Sequence, residues 1–423
     1  MATLRCPSCG AESPASETRF ECACGDLFDV EHVFRPVDRE LFDARLGRAK
    51  PPLDSGVWRF RELVYHRFPS SAVISLREGG TPLYRLPSAS AYAGIEELSF
   101  KHEGLNPTGS FKDRGMTVAV SRAVASGART VACASTGNTA ASLAAYAAAA
   151  GLASVVLAPE RGTALGKLSQ ALAYGARTLL VRGDFDAAMA LVRELARDGS
   201  LALVNSLNPF RIEGQKSIVF ELLQDLGWEP PDWIVFPAGN LGNCAAFGKA
   251  LREARAVGLI DRTPRLAAVQ AAGAAPFVRA FRADFAALEP VRAETVASAI
   301  RIGDPVSYRR AVRALRETQG VAIEVDDAAI LEAKRVIDRA GVGAEPASCA
   351  ALAGARKLAL RGVIDLHERV VCVLTGHLLK DTETTLALHR GELPGVEPSL
   401  ANVPIVIEPT IDALRGALRR TLP

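Results

Sequence analysis

The sequence predicts an open α/β protein with parallel sheets, preceded by a small cysteine-rich extension. From about residue 97 onward, short runs of β-branched residues alternate with longer alanine-rich segments of helical periodicity, which is the pattern of successive β-α-β units. The first 25 residues instead contain four of the eight cysteines. A chain of 423 residues also exceeds the roughly 100–200 residues of one ordinary domain, so we expect more than one domain.

Composition and charge exclude several classes of protein. Hydrophobic residues make up 49% of the chain and charged residues 23%, which is globular usage and excludes an intrinsically disordered chain. The net charge of +3 gives no general footprint for nucleic acid or for a membrane surface. No stretch approaches the ~20 apolar residues of a membrane span, and no apolar signal segment stands at the start. We therefore expect a soluble cytoplasmic protein.

The four N-terminal cysteines form two closely spaced pairs. Cys6 and Cys9 are separated by two residues and Cys22 and Cys24 by one, and a glycine follows each pair. Two such turns can direct four thiolates at one tetrahedral Zn²⁺. We therefore predict a zinc-ribbon-like extension over residues 1–34 with a structural zinc, and the alternatives are paired redox thiols or a disordered tail. The remaining cysteines are scattered and are predicted to be small buried residues: Cys133, Cys244, Cys349 and Cys372.

The α/β part divides into short apolar runs and helical segments. Residues 31–75, which come before it, are mixed and Arg-rich and are predicted to be helical turns and loops at an edge. The predicted helices include Phe111–Ser126 and Thr139–Ala150. The predicted strands are Leu98–His102, Thr130–Ala134, Ser154–Ala158, Arg177–Val181, Ala202–Val204, Trp233–Phe236, Arg265–Val269 and Val370–Leu374. In open parallel sheets, ligands bind where strands end and helices begin, so the loops there are the candidate sites.

One of these loops carries a lysine in an unusual place. Lys112 stands in the first turn of a predicted helix, where the partial positive charge of the helix terminus disfavours another cation. The same field lowers the pKa of an amine, and a neutral amine is what a Schiff-base lysine must supply. An ordinary exposed lysine is the alternative, and position by itself favours that alternative.

Two further loops are suited to anions. The run Ser-Thr-Gly-Asn-Thr at 135–139 precedes a helix, so its hydroxyl and backbone N–H groups can bind a carboxylate, with a simple N-cap as the alternative. The loop 237–243 is rich in glycine, and its successive N–H groups can hold a phosphate. It lacks the GxGxxG spacing of a dinucleotide site.

Two more segments place polar side chains after strands. Asn205, Ser206 and Arg211 can bind a second phosphate, and a surface salt bridge is the alternative for the arginine. His377 ends the run Thr-Gly-His after the last predicted strand. For it we favour a hydrogen-bonded structural histidine over a general base.

As an ordered set, these strings resemble the threonine synthase family, pyridoxal-phosphate (PLP) enzymes with the fold of the tryptophan synthase β-subunit. The resemblance extends from about Ser55 to Asp381. It rests on the runs SGVWR from residue 55, EGGTPL from 78, NPTGSFKDRGM from 106, STGNT from 135, NSLNPFRIEGQK from 205 and TGH from 375. The run SFKDRGMTV is more specific than the SFKxR that serine and threonine dehydratases share.

The resemblance implies two open parallel-sheet domains of PLP fold type II. A large PLP-binding domain would comprise residues 35–107 and 204–423, and a small mobile domain residues 108–203. Lys112 would bind the cofactor covalently, Asn138 would hydrogen-bond its phenolic oxygen and Thr375 would lie at its pyridine nitrogen. The cofactor phosphate would lie on the backbone of Gly239, Asn240, Leu241, Gly242 and Asn243. The substrate carboxylate and phosphate would be bound by Ser135, Thr136, Thr139, Asn205, Ser206 and Arg211.

The resemblance also implies a reaction, that of a carbon–oxygen lyase acting on phosphates in threonine biosynthesis. O-phospho-L-homoserine and water would become L-threonine and phosphate by γ-elimination and β-addition of water. Cysteate synthase, which uses O-phospho-L-serine and sulfite, would keep the same lysine and anion sites and stays open as an alternative. A dehydratase would leave the second phosphate site without purpose, and a docking module on an inactive scaffold would not need Lys112. Members of the family are commonly homodimers, so we expect a homodimer.

The chain departs from the family pattern at two positions. Leu378 replaces the second glycine of the usual TGHGLKD run, which puts the local backbone turn in doubt. Cys349 stands where alanine is common, a change of size that we expect to be tolerated.

Overall fold

The computed structural model describes residues 3–17, 19–66, 68–160, 165–183, 185–197, 199–393 and 401–421. Its strands, in chain order, are β1 (Thr3–Arg5), β2 (Glu12–Pro14), β3 (Asp29–Glu31), β4 (Leu83–Arg85), β5 (Leu98–His102), β6 (Thr130–Ala134), β7 (Ala153–Pro159), β8 (Arg177–Val181), β9 (Ala202–Leu203), β10 (Trp233–Pro237), β11 (Arg265–Ala271), β12 (Val321–Val325) and β13 (Val370–Leu374). Its α-helices are α1 (Arg39–Asp43), α2 (Arg61–Val64), α3 (Pro87–Ala93), α4 (Lys112–Ala125), α5 (Asn138–Ala149), α6 (Leu165–Ala173), α7 (Phe185–Arg197), α8 (Pro209–Gln215), α9 (Ser217–Asp225), α10 (Gly242–Ala256), α11 (Pro276–Arg282), α12 (Tyr308–Glu317), α13 (Asp327–Arg339), α14 (Pro346–Leu360), α15 (Thr382–Arg390) and α16 (Ile411–Thr421). In the ranges described, no helix combines the length and the apolar character needed to cross a membrane.

The strands form three sheets. The largest has the order β12-β11-β10-β13-β5-β4, and all its neighbours pair in parallel except β4, which runs antiparallel to β5. A second sheet has the order β8-β7-β6-β9 and is parallel throughout. The first three strands form a small antiparallel sheet of their own. The predicted α/β architecture with two parallel sheets and a small N-terminal extension is confirmed.

Helices cover both faces of the large sheet, which explains the uninterrupted apolar runs of its strands. Successive residues of β10 alternate between two cores. Ile234 and Phe236 pack with α10 and α12, whereas Trp233 and Val235 pack with α13 and α14. The carboxyl ends of these strands therefore form one edge at which the loops converge.

Most predicted elements match the structure within two residues at each end. The strands β5, β6, β8 and β13 agree residue for residue, and α4 and α5 each begin and end one residue earlier or later than predicted. Sequence analysis missed β4 and β12, which lie at the two outer edges of the large sheet. β4 has only three residues, whereas β12 is as long as β5, and each of the two pairs with a single neighbour.

The expectation that residues 31–75 lie at an edge is wrong for part of the segment. The segment does consist of short helices and loops, including α1 and α2. However, Trp58, Phe60, Leu63 and Val64 are fully buried and belong to the same core as α9 and α10. Aromatic side chains in an Arg-rich stretch thus indicate core packing here.

Two glycines allow α4 and α8 to cross at unusually short range. A Cβ atom added at Gly214 would lie 1.8 Å from the carbonyl oxygen of Arg114, and one added at Gly115 would lie 2.9 Å from the carbonyl oxygen of Arg211. Neither position has room for a side chain. The crossing brings the first turn of α4, with Lys112, next to Arg211 on α8.

The N-terminal extension packs on the large sheet's helices through buried charges. Lys249 of α10 donates to the carbonyl oxygen of Val30 in β3 and, at 2.5 Å, to Glu213 of α8. His32 also contacts Glu213, with 2.5 Å between Nε2 and Oε2. Because Glu213 lies two residues from Arg211, the extension supports the helix that carries this arginine.

Candidate active site

The amine of Lys112 lies in an environment that favours its neutral form. Lys112 is the first residue of α4, and its Nζ lies 4.4 Å from the centroid of the Phe111 ring. Burial lowers the pKa of Lys112 to about 7, with a further lowering by the positive charge of Arg211 and an opposing effect of Glu345. Sequence analysis predicted that the helix terminus lowers this pKa. In the structure, the causes are the burial of Lys112 and the nearby Arg211 cation.

Arg211 is a buried cation with unused hydrogen-bond donors. The residue is 2% exposed, and its Nη1 donates to the carbonyl oxygen of Val204 at 3.3 Å. Its Nε and Nη2 are buried and have no hydrogen-bond partner among the described residues. Burial lowers the pKa of this guanidinium to about 10. The surface salt-bridge alternative does not hold for Arg211, because the residue is buried and forms no ion pair with a carboxylate among the described residues.

Asn138 and Thr375 are each held by contacts near the start of α14. The Asn138 amide donates to the two carboxylate oxygens of Glu345 at 3.2 and 3.3 Å. The hydroxyl of Thr375 lies 3.0 Å from that of Ser348, and the Thr375 carbonyl oxygen accepts from the N–H of Phe111 at 3.0 Å. These contacts join the ends of β6 and β13 to the start of α4.

The loop 135–139 is not explained by helix capping. α5 begins at Asn138, and no side chain caps its first turn. Ser135 and Thr136 are partly exposed, and Ser135 accepts a hydrogen bond from the N–H of Gly137 at 3.3 Å. Hydroxyls and N–H groups at the start of this 12-residue helix thus remain for an anion, as the carboxylate hypothesis requires.

The glycine-rich loop lies at the start of the 15-residue α10. Leu241 adopts a left-handed conformation with φ of 62°, and α10 follows with Gly242 as its first residue. At Gly239 a Cβ atom would lie 3.0 Å from the backbone of Ile300, so a side chain would crowd the loop. This loop presents backbone N–H groups at a helix N-terminus, which is suited to a phosphate.

The side chains of Asn205 and Ser206 are partly engaged already. Asn205 pairs with both backbone groups of Ala134, at 3.0 Å through Oδ1 and 2.9 Å through Nδ2. Ser206 accepts from Asn240 at 2.8 Å, so the fourth loop and the glycine-rich loop are joined directly. One Nδ2 hydrogen of Asn205 and the hydroxyl hydrogen of Ser206 remain for a ligand.

Two motif residues to which sequence analysis gave no role hold the lysine loop in place. The buried Asp113 carboxylate accepts from the N–H and hydroxyl of Thr108 at 2.7 and 2.6 Å and from Ser142 of α5 at 2.6 Å. Arg114 donates to Glu103 at 2.6 and 2.7 Å and to Glu221 at 2.8 Å. Their adjacency to Lys112 in the SFKDR run was the available signal.

The contacts of His377 and Leu378 are those of residues with a structural role. The Nδ1 of His377 accepts from the N–H of Leu379 at 3.1 Å, and its backbone N–H donates to Gly109 at 2.9 Å. Leu378 begins a 3-10 turn next to Gly343, where an added Cβ atom would lie 3.2 Å from the Cβ of Leu378. The replacement of the family's glycine by Leu378 is therefore accommodated.

The cysteines fall into the two groups expected. The Sγ atoms of Cys6, Cys9, Cys22 and Cys24 all lie within 4.8 Å of one another. A tetrahedral zinc site with Zn–S bonds of about 2.3 Å requires sulfurs separated by about 3.8 Å, so the cluster has the correct size. The four scattered cysteines are buried and free, as predicted.

The residues around Lys112 fit pyridoxal phosphate. An amine with a pKa of about 7 can react with an aldehyde near neutral pH, and the glycine-rich loop offers backbone donors for a phosphate. The Thr375 hydroxyl and the Asn138 amide are neutral hydrogen-bonding groups, of the kind that a ring nitrogen and a ring hydroxyl would require.

Comparison with known proteins agrees with this fit. The profile of the family described as "Pyridoxal-phosphate dependent enzyme" matches residues 74–376. The threonine synthase of Methanosarcina acetivorans is 44% identical over 422 residues, which cover 99% of both chains. The chain belongs to the threonine synthase family of PLP-dependent enzymes.

Other members of the threonine synthase family support the assignment. The threonine synthase of Mycobacterium leprae is 47% identical over 338 residues, which cover 79% of this chain and 90% of that protein. The crystal structure of Escherichia coli threonine synthase superposes with a TM-score of 0.71 over 99% of this chain and all of that one, at 20% identity. The second similarity shows a shared fold.

Proposed function

We propose that this protein converts O-phospho-L-homoserine and water to L-threonine and phosphate. The observation that carries the proposal is the buried Arg211, whose Nε and Nη2 have no partner in the described part of the chain. A buried guanidinium without an anion is unfavourable, and a phosphate ester is the anion that its planar donors suit best. A PLP enzyme without a phosphorylated substrate would not need this second anion site.

The substrate would be held at both ends. Its carboxylate lies on the loop of Ser135, Thr136 and Thr139, and its phosphate on Thr139, Asn205, Ser206 and Arg211. These contacts direct Cα and Cβ of the substrate toward the Lys112 amine, which takes their protons in turn and returns protons as the product forms. Arg211 neutralises the charge that develops as phosphate leaves Cγ.

The cofactor-binding residues would be those implied by the family resemblance. Bound PLP supplies an electron sink for the carbanion that forms at Cα. Lys112, Asn138, Thr375 and the backbone of residues 239–243 would hold it. A neutral threonine hydroxyl does not force the ring nitrogen to be protonated, which suits chemistry that must continue to Cβ and Cγ.

The four-stranded sheet and its helices, within residues 108–203, would form a small domain that closes over the substrate. Two side-chain bridges across this boundary support the proposal. Lys167 of α6 donates to Ser298 at 2.9 Å and contacts Asp381 at 3.3 Å, and Lys380 donates to Thr108 and to Gln170 of α6.

Product identification by mass spectrometry tests the proposed reaction. PLP-loaded protein is given O-phospho-L-homoserine, or O-phospho-L-serine with sulfite. We expect threonine and phosphate from the first and no cysteate from the second. Lys112→Ala should abolish the product, and a matched substitution of an exposed lysine, Lys50→Ala, should not. Cysteate as the main product, or threonine formation unaffected by Lys112→Ala, would refute the proposal.

We also propose that the four N-terminal cysteines hold a structural zinc. Two backbone turns support it, in which Gly10 and Gly25 donate to the carbonyl oxygens of Cys6 and Cys22 at 3.0 and 2.9 Å. Because four thiolates fill a tetrahedral shell, this metal would take no part in catalysis. Elemental analysis should give one zinc per chain, and Cys9→Ser should lose it. A correctly folded protein without bound metal would contradict the proposal.

A further inference from the structure

Glu345 is a buried acid that the reaction described above does not use. It precedes α14, whose first residue is Pro346, and its backbone N–H donates to the carbonyl oxygen of Gly376 at 3.1 Å. The residue is only 4% exposed. Its place beside the loop of Thr375 and Gly376 is therefore set by backbone contacts, independently of its side chain.

The local structure is built to admit the Glu345 carboxylate. A Cβ atom added at Gly376 would lie 2.4 Å from Oε1 and 2.5 Å from the carboxylate carbon. Any other residue at position 376 would displace the carboxylate from the site. The glycine of the Thr-Gly-His run is thus explained by the space that Glu345 occupies.

The carboxylate directs the Asn138 amide. Both of its oxygens accept from Asn138 Nδ2, at 3.2 and 3.3 Å, and these are its only hydrogen bonds to a side chain among the described residues. Asn138 is also the residue proposed to contact the cofactor's hydroxyl. A donor fixed by one partner has a defined orientation toward a second.

Charged groups from several elements face Glu345. Lys112 of α4 and Lys380 after β13 attract its negative charge, whereas Asp381 opposes it. Burial raises the pKa of Glu345 to about 7 in spite of the Asn138 hydrogen bond and the two lysines. The same carboxylate favours the protonated form of Lys112, against burial and Arg211.

We propose that Glu345 is a positioning residue, which orients the Asn138 amide and supplies the negative charge that balances the Lys112 nitrogen when the cofactor is bound. The inference rests on the proposed function for the roles of Lys112 and Asn138. In this role Glu345 does not contact the reacting atoms of the substrate.

Absorbance of the lysine-bound cofactor as a function of pH tests the proposal, with no amino-acid substrate present. Glu345→Gln keeps an oxygen for Asn138 and removes the charge. We expect the midpoint of the absorbance change to fall by about one pH unit, a tenfold loss of proton affinity, because the variant loses the coulombic attraction between the Glu345 carboxylate and Lys112. Glu345→Asp keeps the charge and should leave the midpoint close to that of the unsubstituted protein.

Two controls separate this role from a structural one. Glu97→Gln removes an exposed acid and should leave the midpoint unchanged. The melting temperature of Glu345→Gln should be equal or higher, because the variant no longer buries a charge. An unchanged midpoint in Glu345→Gln, or equal shifts in the Gln and Asp variants, would overturn the proposal. The titration needs no substrate. If the protein acts on a different substrate, the proposed reaction is refuted, but the expected shift of the midpoint in Glu345→Gln is unchanged.

Discussion

The sharpest prediction concerns the substitution Arg211→Met, which removes the guanidinium and keeps much of its apolar volume. Two donor groups of Arg211, Nε and Nη2, have no partner in the described structure. A hydrogen bond to a charged group contributes about 1.5–3 kcal/mol, so two of them contribute about 3–6 kcal/mol to binding the phosphorylated substrate. We therefore expect kcat/KM to fall by about 10²–10⁴.

The same substitution should have the opposite effect on folding. In the unsubstituted protein the buried guanidinium is desolvated without a carboxylate partner, which is unfavourable for the folded state. Arg211→Met should therefore leave the free energy of unfolding unchanged or raise it. A loss of activity together with a loss of stability would show that Arg211 holds the fold rather than the substrate.

Steady-state kinetics with O-phospho-L-homoserine, followed by phosphate release, measure the first effect, and urea unfolding measures the second. Loss of the phosphate site should also raise the share of 2-oxobutanoate among the products, if phosphate retained there helps to activate the water. A kcat/KM within tenfold of the unsubstituted enzyme would refute the reasoning for Arg211. An unchanged product ratio would refute the role of the retained phosphate alone.

Two further predictions follow from the geometry around α4. Since the pKa of Lys112 is about 7, the acylation of Lys112 in cofactor-free protein should reach half its maximal rate near pH 7, and Arg211→Met should move this midpoint upward. Mass-spectrometric peptide mapping measures the rate of acylation at each pH. A midpoint above pH 9 in the unsubstituted protein would contradict the expectation. Gly214→Ala should lower the free energy of unfolding by about 3 kcal/mol, because the added Cβ would lie 1.8 Å from the carbonyl oxygen of Arg114. The control is Gly166→Ala on α6, where an added Cβ would have no atom within 4 Å, so this substitution should be neutral or stabilising. Equal effects of the two substitutions on the free energy of unfolding, measured by urea unfolding, would argue against the tight crossing.

Much of the fold was predictable because its signals are local. The apolar runs of β5, β6, β8 and β13 are each bounded by polar loops, and they match the observed strands residue for residue. The predicted ends of α4 and α5 are correct to one residue for the same reason. The edge strand β12 was missed although it is as long as these strands, and its pairing with β11, about 50 residues earlier, is visible only in the folded chain.

The candidate site was predictable in its residue types but not in its arrangement. The positions of Lys112 and of the loops at 135–139 and 239–243 follow from where strands end and helices begin. The lowered pKa of Lys112 was predicted, but its main causes are burial and Arg211, and neither can be deduced from the helix terminus. Sequence analysis gave Glu345 no role, and no sequence signal connected it with Asn138.

Local pattern and motif therefore determined the order of most elements, the family and the candidate site residues. Tertiary structure decided which of those residues act on one another. The Asn138–Glu345 hydrogen bond joins positions 207 residues apart, and the crossing of α4 and α8 at two glycines brings Arg211 next to the first turn of α4. Burial and charge at a site depend on every element packed around it, whereas periodicity reports only the few residues on either side of a position.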